Sequence, residues 1–285
     1  MTYALVTVYF PQNDNVNKIS KICAQADKTF ILDNSPKENS KVFNKLSKSE
    51  YIFFGENCGL SKAFNNILKS DKYKFNDDDY IIFFDQDSKV EENHVATIKS
   101  EFENLKTSNI KIGAIGPFFF DTSSKSTTAL PETLKINENS YSVQSIITSS
   151  MLTKYEILKD INFWNENVFL DMADWDLCWR LKARNYKICM AKSCIMQHAL
   201  GNGVKNFGLI KVKQGKPFRE YYQTRDCLYL LKERYVPLKY KIRFILMLTI
   251  RPLLHIIVLD EKKLRMSYIK KGFNDYKKSI HGELK

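Results

Sequence analysis

Two carboxylates stand two residues apart where an apolar run stops: residues 81–90 read IIFFDQDSKV, so Asp85 and Asp87 follow four apolar residues directly. On an extended segment such side chains point the same way, and their repulsion is tolerable when water or a cation lies between them. DQDS equally suits an Asx-turn, in which the acids only close a chain reversal. Similar side chains stop other apolar runs. Asp33 and Asn34 end TFILDN at 29–34, Asn57 ends YIFFGEN at 51–57, and Asp171, Asp174 and Asp176 cluster in DMADWDLCWRLKARNY at 171–186. Carboxylates and amides are groups that bind hydroxyls, hold hard cations and move protons. One cleft carrying all of them could hold a base and ribose near Asp33, a metal-bound diphosphate near Asp87 and a reacting hydroxyl near Asp174.

These positions need elements that bring them to one edge. Apolar segments at 4–10, 29–34, 51–57, 80–87 and 112–120 read as strands, separated by helical stretches at about 15–26, 61–70 and 92–105. Such alternation implies βαβ units and a mostly parallel sheet flanked by helices, whose ligand site lies beyond the carboxyl ends of its strands. Residues 122–140 are polar and rich in turn formers, the place for a mobile lid or acceptor loop. A strand running into a helix follows at 143–161, then a helix over 171–186 with an acidic first turn that suits the positive end of its dipole. KICMAKSCIMQHALG at 187–201 reads as two short strands that reach His198.

Length and composition allow one large core: 285 residues, 44% of them hydrophobic. Charge is uneven, because residues 205–285 hold 20 Lys or Arg against 7 Asp or Glu, while the whole chain carries a net +12. The basic C-terminal part therefore calls for an anionic partner. Past Arg219 the pattern is helical. Residues 241–259 are strongly apolar but interrupted by Arg251 and Pro252, too short on either side to span a bilayer. Lys239, Lys241, Arg243, Lys262, Lys263 and Arg265 flank this segment, which suits an element lying on an anionic membrane face; a buried helical hairpin or a dimer contact fits equally. Six cysteines without a CxxC pair read as reduced core thiols of a cytosolic protein, and MTYALVTVYF lacks the features of a signal peptide.

The motifs VYFP (8–11), LDNS (32–35), ENCGLSKAFN (56–65), FFDQDS (83–88), FLDMADWDLCWRLK (169–182) and REYYQTRDCLYL (219–230) resemble, in order and spacing, those of the family 2 glycosyltransferases with the GT-A fold. FFDQDS most resembles the bacterial rhamnosyltransferase-like branch that builds surface polysaccharides such as capsule or O-antigen. The resemblance spans residues 3–235 and implies a Rossmann-like GT-A domain over 1–235, with 236–285 as a helical, basic extension.

It also implies roles. Asp33 is placed at the pyrimidine ring, with Tyr9 and Pro11 in the same pocket. Asn57 and Gly59 pass close to the nucleotide, Asp85 faces the ribose or donor sugar, and Arg219, Tyr222 and Arg225 lie near the diphosphate. Asp87 and His198 hold a divalent metal, Mn2+ or Mg2+. Asp174 is the general base of an inverting transfer, although Ala173 stands where many relatives have Glu, and Asp171 or Asp176 could do the same chemistry. Trp164 and Trp175 suit either the core or a sugar-stacking platform. The expected reaction moves L-rhamnose from dTDP-rhamnose to a lipid-linked glycan at the cytoplasmic face of the membrane. A UDP-hexose, glucose or galactose, is the alternative donor. From another class, a non-catalytic nucleic-acid or membrane-binding protein would also use the basic C-terminal region; cations flanking a long apolar segment favour lipid over nucleic acid.

Overall fold

Strand β1, Thr2–Val8, is buried along its whole length, as a strand covered on both faces must be, and it is the axis of the molecule. The structure, a computed structural model, describes residues 1–121, 126–198, 204–207, 210–213 and 215–285; the side chains of Asp121, His198, 204–207, 210–213 and Ile256 lie outside the description. Around β1 the chain lays down α1 (Asn13–Gln25), β2 (Lys28–Asp33), α2 (Ser40–Phe43), β3 (Ser49–Phe53), α3 (Gly59–Leu68), β4 (Tyr80–Asp85) and α4 (His94–Thr107). There follow β5 (Ile112–Asp121), β6 (Ser126–Thr127), β7 (Ser140–Val143), β8 (Met151–Lys154), α5 (Tyr155–Asp160), α6 (Ala173–Ala183) and β9 (Lys187–His198).

Among the described residues these strands form one sheet in the order β3-β2-β1-β4-β8-β5-β9-β7, with β6 on the edge of β5. β3, β2, β1 and β4 are parallel; β8 runs against both β4 and β5, and β9 runs with β5. The chain thus leaves β1 toward β2 and β3 on one side and returns to β4 on the other. That reversal beside β1 is a topological switch point, where a crevice opens at the strand ends.

Register decides which side chains enter the crevice. Val8 pairs with Asp33, whereas Thr7 pairs with Asp85. Paired residues share a face and neighbours along a strand alternate, so Asp33 and Asp85 end on opposite faces of the sheet. Phe83, on the face of Asp85, packs against Phe64 of α3 and Trp164. Trp164 is a core residue.

Three elements depart from the sequence expectation. Instead of two short strands, 187–198 form one twelve-residue strand; its register against β5 jumps between Ala191 and Ile195, so a bulge absorbs KSC where a break was expected. Residues 126–140 carry β6 and a 3-10 turn at Glu132–Leu134, while 122–125 lie outside the described residues. The apolar C-terminal segment is one continuous helix, α8 (Leu238–Val258), despite Pro252. Anchors on both sides of the proline hold it in place: Phe244 against Trp179 and His255 on Glu220 of α7 (Arg219–Lys232). The lost backbone hydrogen bond is offset by that packing.

The hairpin β10 (Val204–Phe207) and β11 (Ile210–Lys213) precedes α7, and α9 (Lys262–Lys277) folds back onto it. Gly272 is the contact: a Cβ there would stand 2.8 Å from the Tyr221 carbonyl. No described helix is long and apolar enough to cross a membrane. All six cysteines are free and buried, as expected of core thiols.

Candidate active site

A cavity of about 720 Å3 opens at the switch point, over the ends of β1 and β4. Its walls include Thr7, Tyr9, Asn34, Asn57, Gly59 and Asp85 from the strand ends, Phe169 and Leu170 from the segment before α6, and Lys216, Arg219 and Tyr222 from the start of α7. Gln86, which the sequence reading did not single out, clamps β1 to β4: it accepts from the Tyr9 amide at 2.8 Å and donates to the Tyr9 carbonyl at 3.2 Å. Asn34 ties β2 to the Asn57–Gly59 turn, accepting from the Cys58 amide and donating to the Gly59 carbonyl.

Gly59 has φ +78, and a Cβ on it would lie 2.7 Å from the Phe169 ring. The glycine is therefore required by the turn and by Phe169 packing, a reason different from close approach to a nucleotide.

Asp85 has no ion-pair partner among the described residues. Burial pushes its carboxyl up to about 6, and the charge of Asp87 adds to the rise. Asp174, in the first turn of α6, behaves alike: burial lifts it to about 7, against the Trp175 amide that donates to it at 2.8 Å, and the charge of Asp85 lifts it further. The two acids named as alternatives to Asp174 are occupied. Asp176 is fully buried and accepts from Arg180 Nε at 2.7 Å, Asn165 at 3.0 Å and the Tyr235 hydroxyl at 2.5 Å. Asp171 accepts from Arg219 at 2.9 Å and Gln223 at 2.7 Å. A carboxyl with a raised pKa, half-buried and free of cations, is the form a general base takes near neutral pH.

Other expected residues lie elsewhere. Asp33 is completely buried and does not line the cavity; its oxygens accept from the Ser35 amide, Asn39 and the Tyr51 hydroxyl. The register explains this, because it turns Asp33 to the face opposite Asp85. Pro11 is buried outside the cavity wall, and Asp87 is exposed on the turn after β4. Arg225, expected near the diphosphate, is fully buried behind the wall, paired with Asp226 at 3.0 Å; Arg219 and Lys216 are the cations that face the cavity. Trp175 packs against Tyr240 of α8, with Arg243 over its ring.

No protein-family model matches the chain. It is 27% identical to dTDP-rhamnosyl transferase RfbF of Shigella flexneri, over 94% of this chain and 92% of that protein. Among solved structures it is similar to GalNAc-T7 with UDP, GalNAc and Mn2+, at a TM-score of 0.55 and 11% identity over 98% of this chain. It is also similar to S. aureus TarS 1-349, at 0.51 and 11% identity over 97% of this chain and 81% of that one. The chain spans 57% of the length of the GalNAc-T7 chain. This chain is a GT-A glycosyltransferase.

In this glycosyltransferase the residues expected to hold a divalent cation are Asp87 and His198. His198 ends β9, and its side chain lies outside the described residues. Among the described residues no three His, Cys, Asp or Glu side chains gather into a metal cluster. The donor chemistry nonetheless fits a hard cation: Asp85 and Asp87 are carboxylates whose charges repel and which have no basic partner among the described residues.

Sequence reasoning missed Gln86, Phe169, Lys216, Glu283 and Leu284 in the glycosyltransferase cavity. Phe169 stood inside a quoted motif, and Lys216 is a cation just ahead of a helix start. Glu283 and Leu284 had no signal, since nothing in their sequence relates them to strand ends some two hundred residues earlier.

Proposed function

We propose that this glycosyltransferase moves L-rhamnose from dTDP-L-rhamnose to a hydroxyl of a lipid-linked glycan in bacterial surface-polysaccharide synthesis, with inversion at the anomeric carbon. The observation that carries the reading is Asp174, a carboxyl raised to about 7 that lies outside the cavity wall but within reach of the charge of Asp85, which lines it. The named activity of the Shigella flexneri relative supports the donor.

Asp174 takes the proton of the acceptor hydroxyl as that oxygen forms its bond to the anomeric carbon. The bond from that carbon to the diphosphate oxygen breaks, and the diphosphate leaves with the electron pair. Arg219 and Lys216, at the N-terminal end of α7, face the cavity where an anion is stabilised by both side chains and helix dipole. Asp85 binds hydroxyls of the ribose or sugar. Mn2+ or Mg2+ held by Asp87 and His198 would offset charge on the departing diphosphate.

The test is a panel of nucleotide sugars with Mn2+, scored for nucleoside diphosphate release by the purified chain and by Asp87→Ala and Asp174→Ala. Release from dTDP-rhamnose that both variants lose supports the proposal; release from UDP-glucose or UDP-galactose replaces the donor; silence across the panel overturns the reading.

The acceptor's lipid gives α8 its place. Leu238, Ile242, Ile250, Leu253 and Ile257 are each more than half exposed along one helix, and exposed Lys239, Arg243, Lys262 and Lys263 lie beside them. An apolar stripe edged by cations suits the anionic cytoplasmic leaflet, with the chain peripheral to it. Flotation with anionic but not neutral vesicles is the expected result; equal behaviour with both removes the membrane from the proposal.

A further inference from the structure

We infer that residues 280–284 form a strap that walls the substrate cavity, and that Arg225 is the positioning residue that fastens it. The inference rests on reading that cavity as the nucleotide-sugar site.

After α9 the chain reverses through Ser279, at φ +54, and Gly282, at φ +82, and runs back along α7. Its contacts descend one face of that helix. The Tyr229 hydroxyl donates to the Ile280 carbonyl at 3.3 Å, and the Tyr229 ring stacks on His281 at 4.7 Å. Arg225 Nη1 donates to the Gly282 carbonyl at 2.7 Å, and the Leu284 amide donates to the Tyr222 hydroxyl at 2.9 Å. Residues 222, 225 and 229 are spaced three and four apart, the spacing of one helical face, so α7 presents a ladder for an extended segment. Held there, Glu283 and Leu284 enter the wall of the 720 Å3 cavity that Lys216 and Arg219 also line. Glu283 also borders a second cavity of about 370 Å3 that shares Asn57, which makes the strap the partition between the two.

Arg225 does more than hold Gly282. Its Nε donates to Asp226 Oδ1 at 3.0 Å, and Asp226 Oδ2 accepts the Phe169 amide at 2.9 Å. Phe169 stacks on Tyr222 with centroids 4.5 Å apart and packs on Gly59. One buried guanidinium thus joins the strap to the segment that leads into Asp174 and to the Asn57–Gly59 turn. A guanidinium fork can serve several acceptors at fixed angles, which an ammonium cannot. Arg225 touches no part of the cavity, so it acts through these neighbours.

Two variants of the full chain test this: Gly282→Pro, which cannot adopt a φ of +82, and Arg225→Lys, which keeps the charge but loses the fork. Gly282 has nothing within 4 Å of a Cβ, so its replacement alters the strap and leaves the core intact. With the nucleotide sugar that the wild-type chain turns over, both variants should raise donor KM about tenfold and change kcat by less than about threefold, the split expected for lost binding. Hydrogen exchange should quicken at the Phe169 amide in Arg225→Lys and at Leu284 in both. Folded variants with wild-type KM and exchange would overturn the strap and the role of Arg225. A fall in kcat at constant KM would overturn the donor-binding role. If the wild-type chain binds no nucleotide sugar by calorimetry, the cavity reading fails and the donor role with it, while exchange still decides whether Arg225 fastens the strap.

Discussion

Asp33 and Asp85 end strands on either side of β1, one residue apart in register, and the environments they meet are opposite. Asp33 turns to a face where an amide, a side-chain amide and a phenol all donate to it. Asp85 turns to the crevice, where no described cation meets it and Asp87 repels it. Within α6 the same contrast separates Asp176, saturated by Arg180, Asn165 and Tyr235, from Asp174, held by one amide two residues earlier. An acid with its donors supplied by the protein is a fastener. An acid left without them is available to a substrate, and its raised pKa records the cost of leaving it so.

The contrast can be broken most severely at Asp174. Asp174→Asn should lower kcat by about 10²–10⁴, the usual worth of a general base, with donor KM little changed. In the unaltered enzyme the rate should rise with pH through about 7, because the base works only after losing its proton; a rate flat from pH 5 to 8 would remove Asp174 from that role. Next in size, Asp176→Ala removes a fully buried carboxylate from the partly buried Arg180 guanidinium and should cost about 3–5 kcal/mol in chemical denaturation. Asp33→Asn turns an acceptor into a donor facing Asn39 and Tyr51, and should cost about 1–3 kcal/mol.

Asp174→Asn sharpens the comparison from the other side, since it should raise stability at pH 8 by up to about 4 kcal/mol. The folded carboxyl keeps its proton up to about 7, whereas the unfolded one loses it near the ordinary value of 3.8. Ionisation therefore costs folding free energy that accumulates between those pH values and stays constant above them, and the amide escapes that cost. Melts of the two chains should converge below about pH 4, part progressively as the pH rises to about 7 and stay apart at pH 8. Smallest of all, Ile250→Ser on the exposed stripe of α8 should change stability by less than about 0.5 kcal/mol while weakening vesicle binding.

Much of the sheet was legible because buried parallel strands leave an uninterrupted apolar run, so the runs read at 4–10 and 80–87 mark the strands found at 2–8 and 80–85. The bulge in 187–198 was not, because a kink inside a strand and a gap between two strands look alike without the partner strand. Pro252 was misjudged for a related reason: propensity sees the missing amide, while the anchors at Phe244 and His255 belong to other elements. At the site, the candidates Asp85 and Asp174 could be named from motif order, but Asp33 and Arg225 could not be told from cavity residues, since motif position says nothing of which face a side chain takes.

The sequence by itself determined the alternation of strands and helices, the placing of acids at strand ends and the basic, apolar C-terminal helices, all of which depend on local periodicity and residue type. Tertiary structure alone decided which acids keep their charge unmet, that Arg225 holds a strap instead of facing the cavity, and that residues 283 and 284 share a cavity wall with the end of β1. Those outcomes depend on register and on donors brought from distant segments, and a one-residue step in strand pairing reverses them.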